Sequence, residues 1–248
     1  MVTKADFQLV RSLADKQART LHGLFVAEGD KLVGEISDNP NWHNERLFIT
    51  EGSKISTPRA EVLAAKDMER LSALKSAPRS LALVRVPERK HFVPSTEELV
   101  IALDEVQDPG HLGTIIRTAD WYGIRHIVCS PTTADCFAPK VVQATMGALL
   151  RVEVTYCDLP EWLREARRRG VPTYATTLDG KDIHTAPLSK GGIIIMGNEG
   201  KGVSPEVQKL VEHKLFIPPY PADRRGSESL NVAIATAITC ENFRNKKG

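Results

Sequence analysis

Three short loops of this 248-residue sequence carry polar side chains of the types that bind ligands or move protons. The loop "DEVQDPGHLGTIIR" contains His111 and Arg117, "GNEGKG" contains Glu199, and "ESLN" contains Ser229 and Asn231. An imidazole changes its charge near neutral pH, and a guanidinium can bind a phosphate through two parallel hydrogen bonds. Taken singly, each residue also has a structural explanation as a turn residue, a helix cap or a solvated side chain, and Ser229 in particular is a plausible N-cap of the last predicted helix. A functional interpretation therefore requires a fold that brings the three loops together.

The glycines of these loops disfavour two common nucleotide sites. Gly110 and Gly113 give G-x-x-G, whereas dinucleotide-binding folds use G-x-G-x-x-G. Gly202 is followed by Val203, whereas a P-loop needs Lys and then Ser or Thr at this point to hold phosphates and magnesium. Glycine does permit close approach of a ligand to the main chain. The glycine-rich loop is therefore predicted to hold a ligand through backbone groups.

From residue 95 onward, short apolar stretches alternate with amphipathic ones. Such alternation predicts an α/β domain with a buried, mostly parallel sheet and helices on both faces. Each polar loop follows a predicted strand, and ligands of parallel sheets bind at the carboxyl ends of the strands. The three loops are therefore expected at one edge of one sheet. The predicted strands are 99–103, 126–129, 152–157, 171–178, 192–197 and 214–219, and the predicted helices are 112–123, 140–150, 159–170, 204–213 and 229–245.

A boundary is predicted within residues 85–96, where two prolines and a cluster of charges separate apolar segments. This divides the chain into domains at 1–90 and 95–248. The first is predicted as a small α/β or α+β domain, with helices at 6–19 and 60–74 between short apolar runs.

Composition is that of a globular protein, with 42% hydrophobic and 26% charged residues and a net charge of +2. No apolar run approaches the roughly 18 residues of a membrane-spanning helix, and the N-terminus lacks the apolar segment of a secretory signal. We therefore expect a cytoplasmic protein that does not enter a membrane. The four cysteines form no C-x-x-C pair, so a metal site is not expected. Residues 1–94 hold 15 Lys and Arg against 12 Asp and Glu, a small excess that alone does not establish a polyanionic partner.

Taken together, "DEVQDPGHLGTIIRTAD", "IIIMGNEGKGVSPE" and "IPP…SESLNVAIATAI" resemble the three motifs of the SpoU (TrmH-like) family of RNA 2'-O-ribose methyltransferases, in the SPOUT superfamily. Order, spacing and residue types all fit. The stretch "LVRSLADKQARTLHGLFVAEGDKLVGE" is similar to the small RNA-binding domain of that family. The resemblance thus covers nearly the whole chain, and the set of three motifs is specific where one motif alone is not.

The resemblance implies a methyltransferase domain with a deep C-terminal trefoil knot, preceded by a small α/β RNA-binding domain. It also implies S-adenosyl-L-methionine as cofactor, rRNA or tRNA as substrate, a homodimer, and no metal. The backbone around Gly197, Ile217 and Leu230 would hold the cofactor. The catalytic pocket would consist of Arg117, Glu199, Ser229, Asn231 and His111.

This sequence departs from the family pattern at His111, where an asparagine is usual. The imidazole either accepts the proton of the ribose hydroxyl or forms hydrogen bonds as the asparagine does, and the second role is favoured. Arg117 is better suited to clamping a phosphate and stabilising a developing alkoxide than to acting as the base, because a guanidinium rarely loses its proton. The third loop is longer than usual and adds Arg224 and Arg225, two further cations for RNA phosphates.

Two functions remain open. The chain is either an active RNA 2'-O-methyltransferase or an RNA-binding module that keeps the fold without catalysis. Retention of all the polar pocket residues favours the enzyme.

Overall fold

The computed structural model describes residues 2–221 and 229–245, and Arg224 and Arg225 lie outside them. The chain forms two compact units. One is made of the chain as far as Arg89 together with Asp135–Leu150, and the other of Lys90–Ala134 together with the chain from Arg151 onward. Residues 135–150 thus group with the first unit although they lie far along the sequence. The RNA-binding role of the first unit stays a prediction.

The first unit is built on a four-stranded sheet in the order β1-β4-β2-β3, in which only the β2–β3 pair is parallel. Helices bury apolar side chains such as Leu13 and Met68 against the strand residues Phe48 and Leu81. The elements are α1 (Lys4–Ser12), α2 (Lys16–His22), β1 (Leu24–Glu28), α3 (Asp30–Asp38), β2 (Asn44–Thr50), β3 (Glu61–Leu63), α4 (Ala65–Leu71), β4 (Ser80–Arg85), α6 (Pro139–Ala144) and a 3₁₀ turn at Ala148–Leu150.

Two predicted helices of this unit are corrected. The helix predicted at 6–19 is divided, because Asp15 caps a new helix by accepting hydrogen bonds from the backbone of Gln17 and Ala18. The helix predicted at 60–74 begins instead with β3, which pairs with the end of β2, and only then continues as α4. In the second case sheet pairing outweighs the helical pattern of the sequence.

The second unit is built on a six-stranded sheet in the order β10-β8-β9-β5-β6-β7, and every pair in it is parallel. All five residues of β5 and of β9 are buried, as expected for central strands covered on both faces. The predicted α/β fold with a mostly parallel sheet is therefore confirmed. The elements are β5 (Leu99–Leu103), α5 (Pro109–Trp121), β6 (His126–Cys129), β7 (Glu153–Tyr156), α7 (Leu159–Arg168), β8 (Thr173–Asp182), β9 (Gly192–Met196), α8 (Pro205–Gln208), β10 (His213–Phe216) and α9 (Val232–Asn245).

The strand order indicates the edge of the sheet at which a ligand is expected to bind. From β5 the chain forms β6 and β7 on one side of the sheet, and it then crosses to form β8 and β9 on the other side. The neighbouring strands β5 and β9 are therefore each followed by a connection to a different side of the sheet. Ligands of open parallel sheets bind at the carboxyl ends of such a pair. The loops that follow β5 and β9 are the ones that carry His111 and Glu199.

Several predicted helices are shorter than the sequence indicates. The helix predicted at 140–150 is interrupted at Gly147, whose φ of 91° is left-handed, and the one predicted at 204–213 ends at Gln208. In the part of the chain that the structure describes, no helix is long and apolar enough to span a bilayer. The same residues contain no cluster of three or more His, Cys, Asp or Glu that could hold a metal ion.

Candidate active site

The loops after β5 and β9 are tied together by side chains directed at main-chain groups. The Asn198 amide donates to the carbonyl of Glu105 over 2.8 Å. The carboxylate of Asp104, only 4% exposed, accepts from the backbone N–H of Ser204 at 2.7 Å. Because buried or charged acceptors are costly to leave unpaired, these contacts hold the two loops in one arrangement.

The loop after β9 is a tight turn that only glycine allows at its start. A Cβ atom added to Gly197 would lie 2.2 Å from the carbonyl carbon of Gly202. Asn198 and Gly202 exchange two backbone hydrogen bonds of 2.9 Å, and the side-chain oxygen of Asn198 accepts from the N–H groups of Gly200 and Lys201. The turn therefore presents Glu199 in a defined position.

Glu199 reaches back to the first loop and accepts three hydrogen bonds there. The donors are the backbone N–H groups of Gln107 at 3.3 Å and Asp108 at 3.1 Å, and the Nδ1 atom of His111 at 3.1 Å. Burial opposes the charge of Glu199 and acts to raise its pKa, but the hydrogen bonds from His111 and from backbone N–H groups outweigh it. The pKa of Glu199 therefore lies below its ordinary value, and the carboxylate is charged near neutral pH.

His111 connects Glu199 to the third loop. It lies in the first turn of α5, which Asp108 caps by accepting from the backbone N–H of His111 at 2.8 Å. The Nε2 atom of His111 lies 2.7 Å from the amide nitrogen of Asn231. The structure thus brings together one side chain from each of the three loops, as the sequence predicts.

The cap of α9 differs from the prediction. Ser229 was a candidate N-cap on its sequence position, but α9 begins at Val232 and the side-chain oxygen of Asn231 accepts from the N–H groups of Ala233 at 2.9 Å and Ile234 at 3.3 Å. The reason is that the helix starts three residues later than predicted, so the asparagine occupies the capping position. Asn231 therefore serves both as helix cap and as a member of the polar network.

Arg117 and Ser229 do not join this network. Arg117 is exposed on α5 and has no hydrogen bond or ion pair among the residues that the structure describes. Ser229 is also exposed, two residues before Asn231, and within residues 2–221 and 229–245 it makes no hydrogen bond either. Both side chains are therefore exposed and without a partner in the part of the chain that the structure describes.

The three predicted cofactor-binding positions share one feature of the main chain. Within the described chain, the backbone N–H and carbonyl groups of Gly197, Ile217 and Leu230 make no hydrogen bond. Gly197 follows β9, Ile217 follows β10, and Leu230 precedes α9. Gly197 and Ile217 are half-buried and Leu230 is exposed, and accessible main-chain groups without a protein partner can form hydrogen bonds to a polar ligand.

Asp104 and Asn198 were not singled out from the sequence, although they fix the site. Asp104 directly follows the five buried residues of β5, a position where a carboxylate must find a partner. Asn198 follows the glycine that ends β9, where its side chain can stabilise a turn. These positional signals were present, but the partners lie roughly 90 to 100 residues away in the chain.

The fold and the site define an α/β protein in which three loops with polar side chains meet at the central strands of a parallel sheet. The profile of the SpoU rRNA methylase family matches residues 98–241, and the chain belongs to this family. It is similar to the 23S rRNA (guanosine(2553)-2'-O)-methyltransferase RlmP of Bacillus subtilis, with 33% identity over 239 residues that cover 94% of each chain.

Solved structures show the same similarity. A TrmH-family protein from Porphyromonas gingivalis is 40% identical, with a TM-score of 0.89 and complete coverage of both chains. An AdoMet-bound rRNA methyltransferase from Sinorhizobium meliloti is 29% identical, with a TM-score of 0.86 and coverage of 99% of this chain and 96% of the other. The comparisons confirm the predicted family, and with it an S-adenosylmethionine-dependent RNA 2'-O-methyltransferase.

Proposed function

We propose that this chain methylates the 2'-oxygen of a ribose in ribosomal RNA at the network formed by Glu199, His111 and Asn231. The observation that carries the proposal is the convergence of these three side chains, from three separate loops, at the carboxyl ends of β5 and β9. Ribosomal RNA is favoured over transfer RNA because RlmP, which matches 94% of this chain, is named for 23S rRNA.

The unpaired main chain of Gly197, Ile217 and Leu230 fits S-adenosylmethionine, which offers many polar atoms and an apolar adenine ring. Leu230 adds a side chain that is 49% exposed and can pack against such a ring. The bound cofactor supplies an activated methyl group on a sulfonium. The protein holds it by backbone contacts, which leaves the polar side chains free for the RNA.

Arg117 is proposed to bind the phosphate next to the target ribose. Its guanidinium is exposed and unpaired within the described residues, and it can form two parallel hydrogen bonds to one phosphate. Arginine does not ordinarily lose its proton in proteins, so its contribution is positioning and stabilisation of negative charge on the ribose oxygen. Ser229 and Asn231 are proposed to orient the ribose by hydrogen bonds.

A homodimer is proposed from the exposed apolar residues on α5 and α9, two helices of the second unit that pack against each other. Trp121 on α5 is 84% exposed, and Ile234 on α9 is 52% exposed. Large apolar side chains that are exposed on a pair of packed helices favour a protein contact. Because α5 and α9 also carry His111, Arg117 and the Asn231 cap, a second copy on this face would lie close to the site.

The trefoil knot and the RNA-binding role of the first unit are proposed on separate grounds. The knot, which the resemblance to the SpoU family implies, is proposed for the second unit, where the pairing of β8 with β10 shifts register and a Cβ on Gly180 would lie 2.5 Å from the main chain of Leu215. In the first unit, a cleft of about 770 Å³ is bordered by Lys75 and Arg79, which can contact phosphates, as well as by Glu51 and Glu69. A ribosomal RNA substrate would place the protein in the cytoplasm.

Transfer of labelled methyl from S-adenosylmethionine to total RNA tests the proposal. The purified protein should label ribosomal RNA, and the Asn231→Ala variant should label it at least tenfold more slowly. RNA binding without transfer would instead support the alternative of an inactive binding module.

A further inference from the structure

The hydrogen bonds around His111 allow only one protonation state of its ring. The side-chain oxygen of Asn231 accepts from the N–H groups of Ala233 and Ile234, so its NH₂ group must face His111. An NH₂ group can only donate, and the Nε2 atom of His111, 2.7 Å away, must therefore be an unprotonated acceptor.

The other ring nitrogen is fixed by the same reasoning. Nδ1 lies 3.1 Å from the Glu199 carboxylate, which is charged and can only accept. Nδ1 must therefore carry the proton. The network thus selects the neutral ring with its proton on Nδ1, and the cap of α9 is what determines this choice.

From this arrangement we infer that His111 is a positioning residue rather than the proton acceptor, and that it orients the amide of Asn231 toward the RNA. The Nε2 lone pair that a base would use is already occupied by Asn231. The second N–H of that amide has no partner among the described residues and can donate to a ribose oxygen. The inference rests on the proposed function of this site.

The same geometry makes the contact sensitive to acid. A second proton on His111 would set an N–H at Nε2 against the N–H of Asn231, and the contact would be lost. Among the described residues, the charged groups facing the ring are Glu199 at 3.1 Å and Asp108 at 4.0 Å, while α9 contributes only the uncharged amide of Asn231. A doubly protonated His111 would therefore no longer orient the amide of Asn231, and methyl transfer would slow.

Single-turnover methyl transfer by the full chain separates positioning from base catalysis. His111→Gln keeps an acceptor near the place of Nε2, so its rate should stay within about tenfold of the wild type. His111→Ala removes the acceptor and should be about ten- to a hundredfold slower. A loss of about a hundredfold or more in His111→Gln, the range of general acid–base groups, would make His111 the base and overturn the inference.

A double-mutant cycle with Asn231→Ala tests whether the two residues act through one contact. If they do, the His111→Ala, Asn231→Ala double variant should be little slower than the slower single variant. If the rate of the double variant is instead reduced by the product of the two single reductions, His111 acts independently of Asn231, contrary to the inference.

Nitrogen NMR of histidine-labelled protein gives a result that does not depend on activity. The signals absent from the His111→Gln variant identify His111, and near neutral pH they should show a protonated Nδ1 and an unprotonated Nε2. A proton on Nε2 under the same conditions would refute the inferred network. If NMR shows the inferred ring state but neither the wild type nor any variant methylates RNA, the proposed function is wrong and the assigned ring state is still correct.

Discussion

Replacing Gly197 by alanine perturbs the loop after β9 at the point where it has least space. The new Cβ would lie 2.2 Å from two backbone atoms, the carbonyl carbon of Gly202 and the nitrogen of Val203, and neither can move as a flexible side chain would. Relief requires the turn to open, which strains the two 2.9 Å hydrogen bonds between Asn198 and Gly202. Over-packing of this kind costs about 1–3 kcal/mol, which corresponds to a fall in Tm of about 2–12 °C for a chain of this size.

The same movement should displace the main chain that is proposed to hold the cofactor. We expect the Gly197→Ala variant to bind S-adenosylmethionine at least about tenfold more weakly by calorimetry, because about 1.4 kcal/mol of lost contact is enough for that factor. Its urea midpoint should fall in parallel.

Gly200→Ala is the matched control in the same loop. Its Cβ would meet only the side-chain oxygen of Asn198, at 3.8 Å, which is an ordinary contact. Stability should change by less than about 0.5 kcal/mol and cofactor affinity should be nearly unchanged. If alanine at Gly197 is as harmless as alanine at Gly200, the packing of this loop and its role in cofactor binding are both wrong.

Three further predictions concern the substrate side, the assembly and the pH dependence of stability. Arg117→Ala should slow methyl transfer about a hundredfold or more with cofactor affinity unchanged by calorimetry, and Arg117→Lys should recover little because lysine cannot form the two-bond clamp; normal turnover by the alanine variant would place the clamp elsewhere. Trp121→Glu should convert a dimer to a monomer in sedimentation experiments at micromolar concentration, and a wild-type protein that sediments as a monomer would contradict the assembly. Because folding lowers the pKa of Glu199, the charged carboxylate stabilises the protein at pH values above the ordinary glutamate pKa of about 4.3, and this stabilisation is lost as the pH falls through the lower pKa of the folded state. The wild type should therefore have a higher urea midpoint than Glu199→Gln at pH 7 and lose that advantage in acid. A difference in midpoint that does not change with pH would contradict this role of Glu199.

The sheet of the second unit was predictable because its strands are short, apolar and bounded by turns. Leu99–Leu103, His126–Cys129 and Gly192–Met196 match the predicted strands to within a residue. Parallel strands buried on both faces leave a strong local signal. The errors arise where distant contacts decide the local structure, as in Glu61–Leu63, which forms a strand only because β2 is beside it.

The convergence of the three loops was predictable from the sequence, but the hydrogen bonds between their side chains were not. Sequence position indicates that His111, Glu199 and Asn231 follow strands of one sheet, and the structure shows them in hydrogen-bond contact. The orientation of the Asn231 amide follows from its place as the cap of α9, and the sequence alone favoured Ser229 for that cap. Side-chain geometry of this kind depends on where a helix begins to within one residue, and helix ends are poorly specified by local sequence.

Identification of the methylated atom tests the central claim most directly. Ribosomal RNA labelled by the protein with methyl-tritiated S-adenosylmethionine is digested with alkali, which cannot cleave beside a 2'-O-methylated ribose, so the label should appear in alkali-resistant dinucleotides. Asn231→Ala should reduce that product, since its amide belongs to the network at the ends of β5 and β9. Label found on a base, in mononucleotides after alkaline digestion, would contradict the assignment of this site to a ribose hydroxyl.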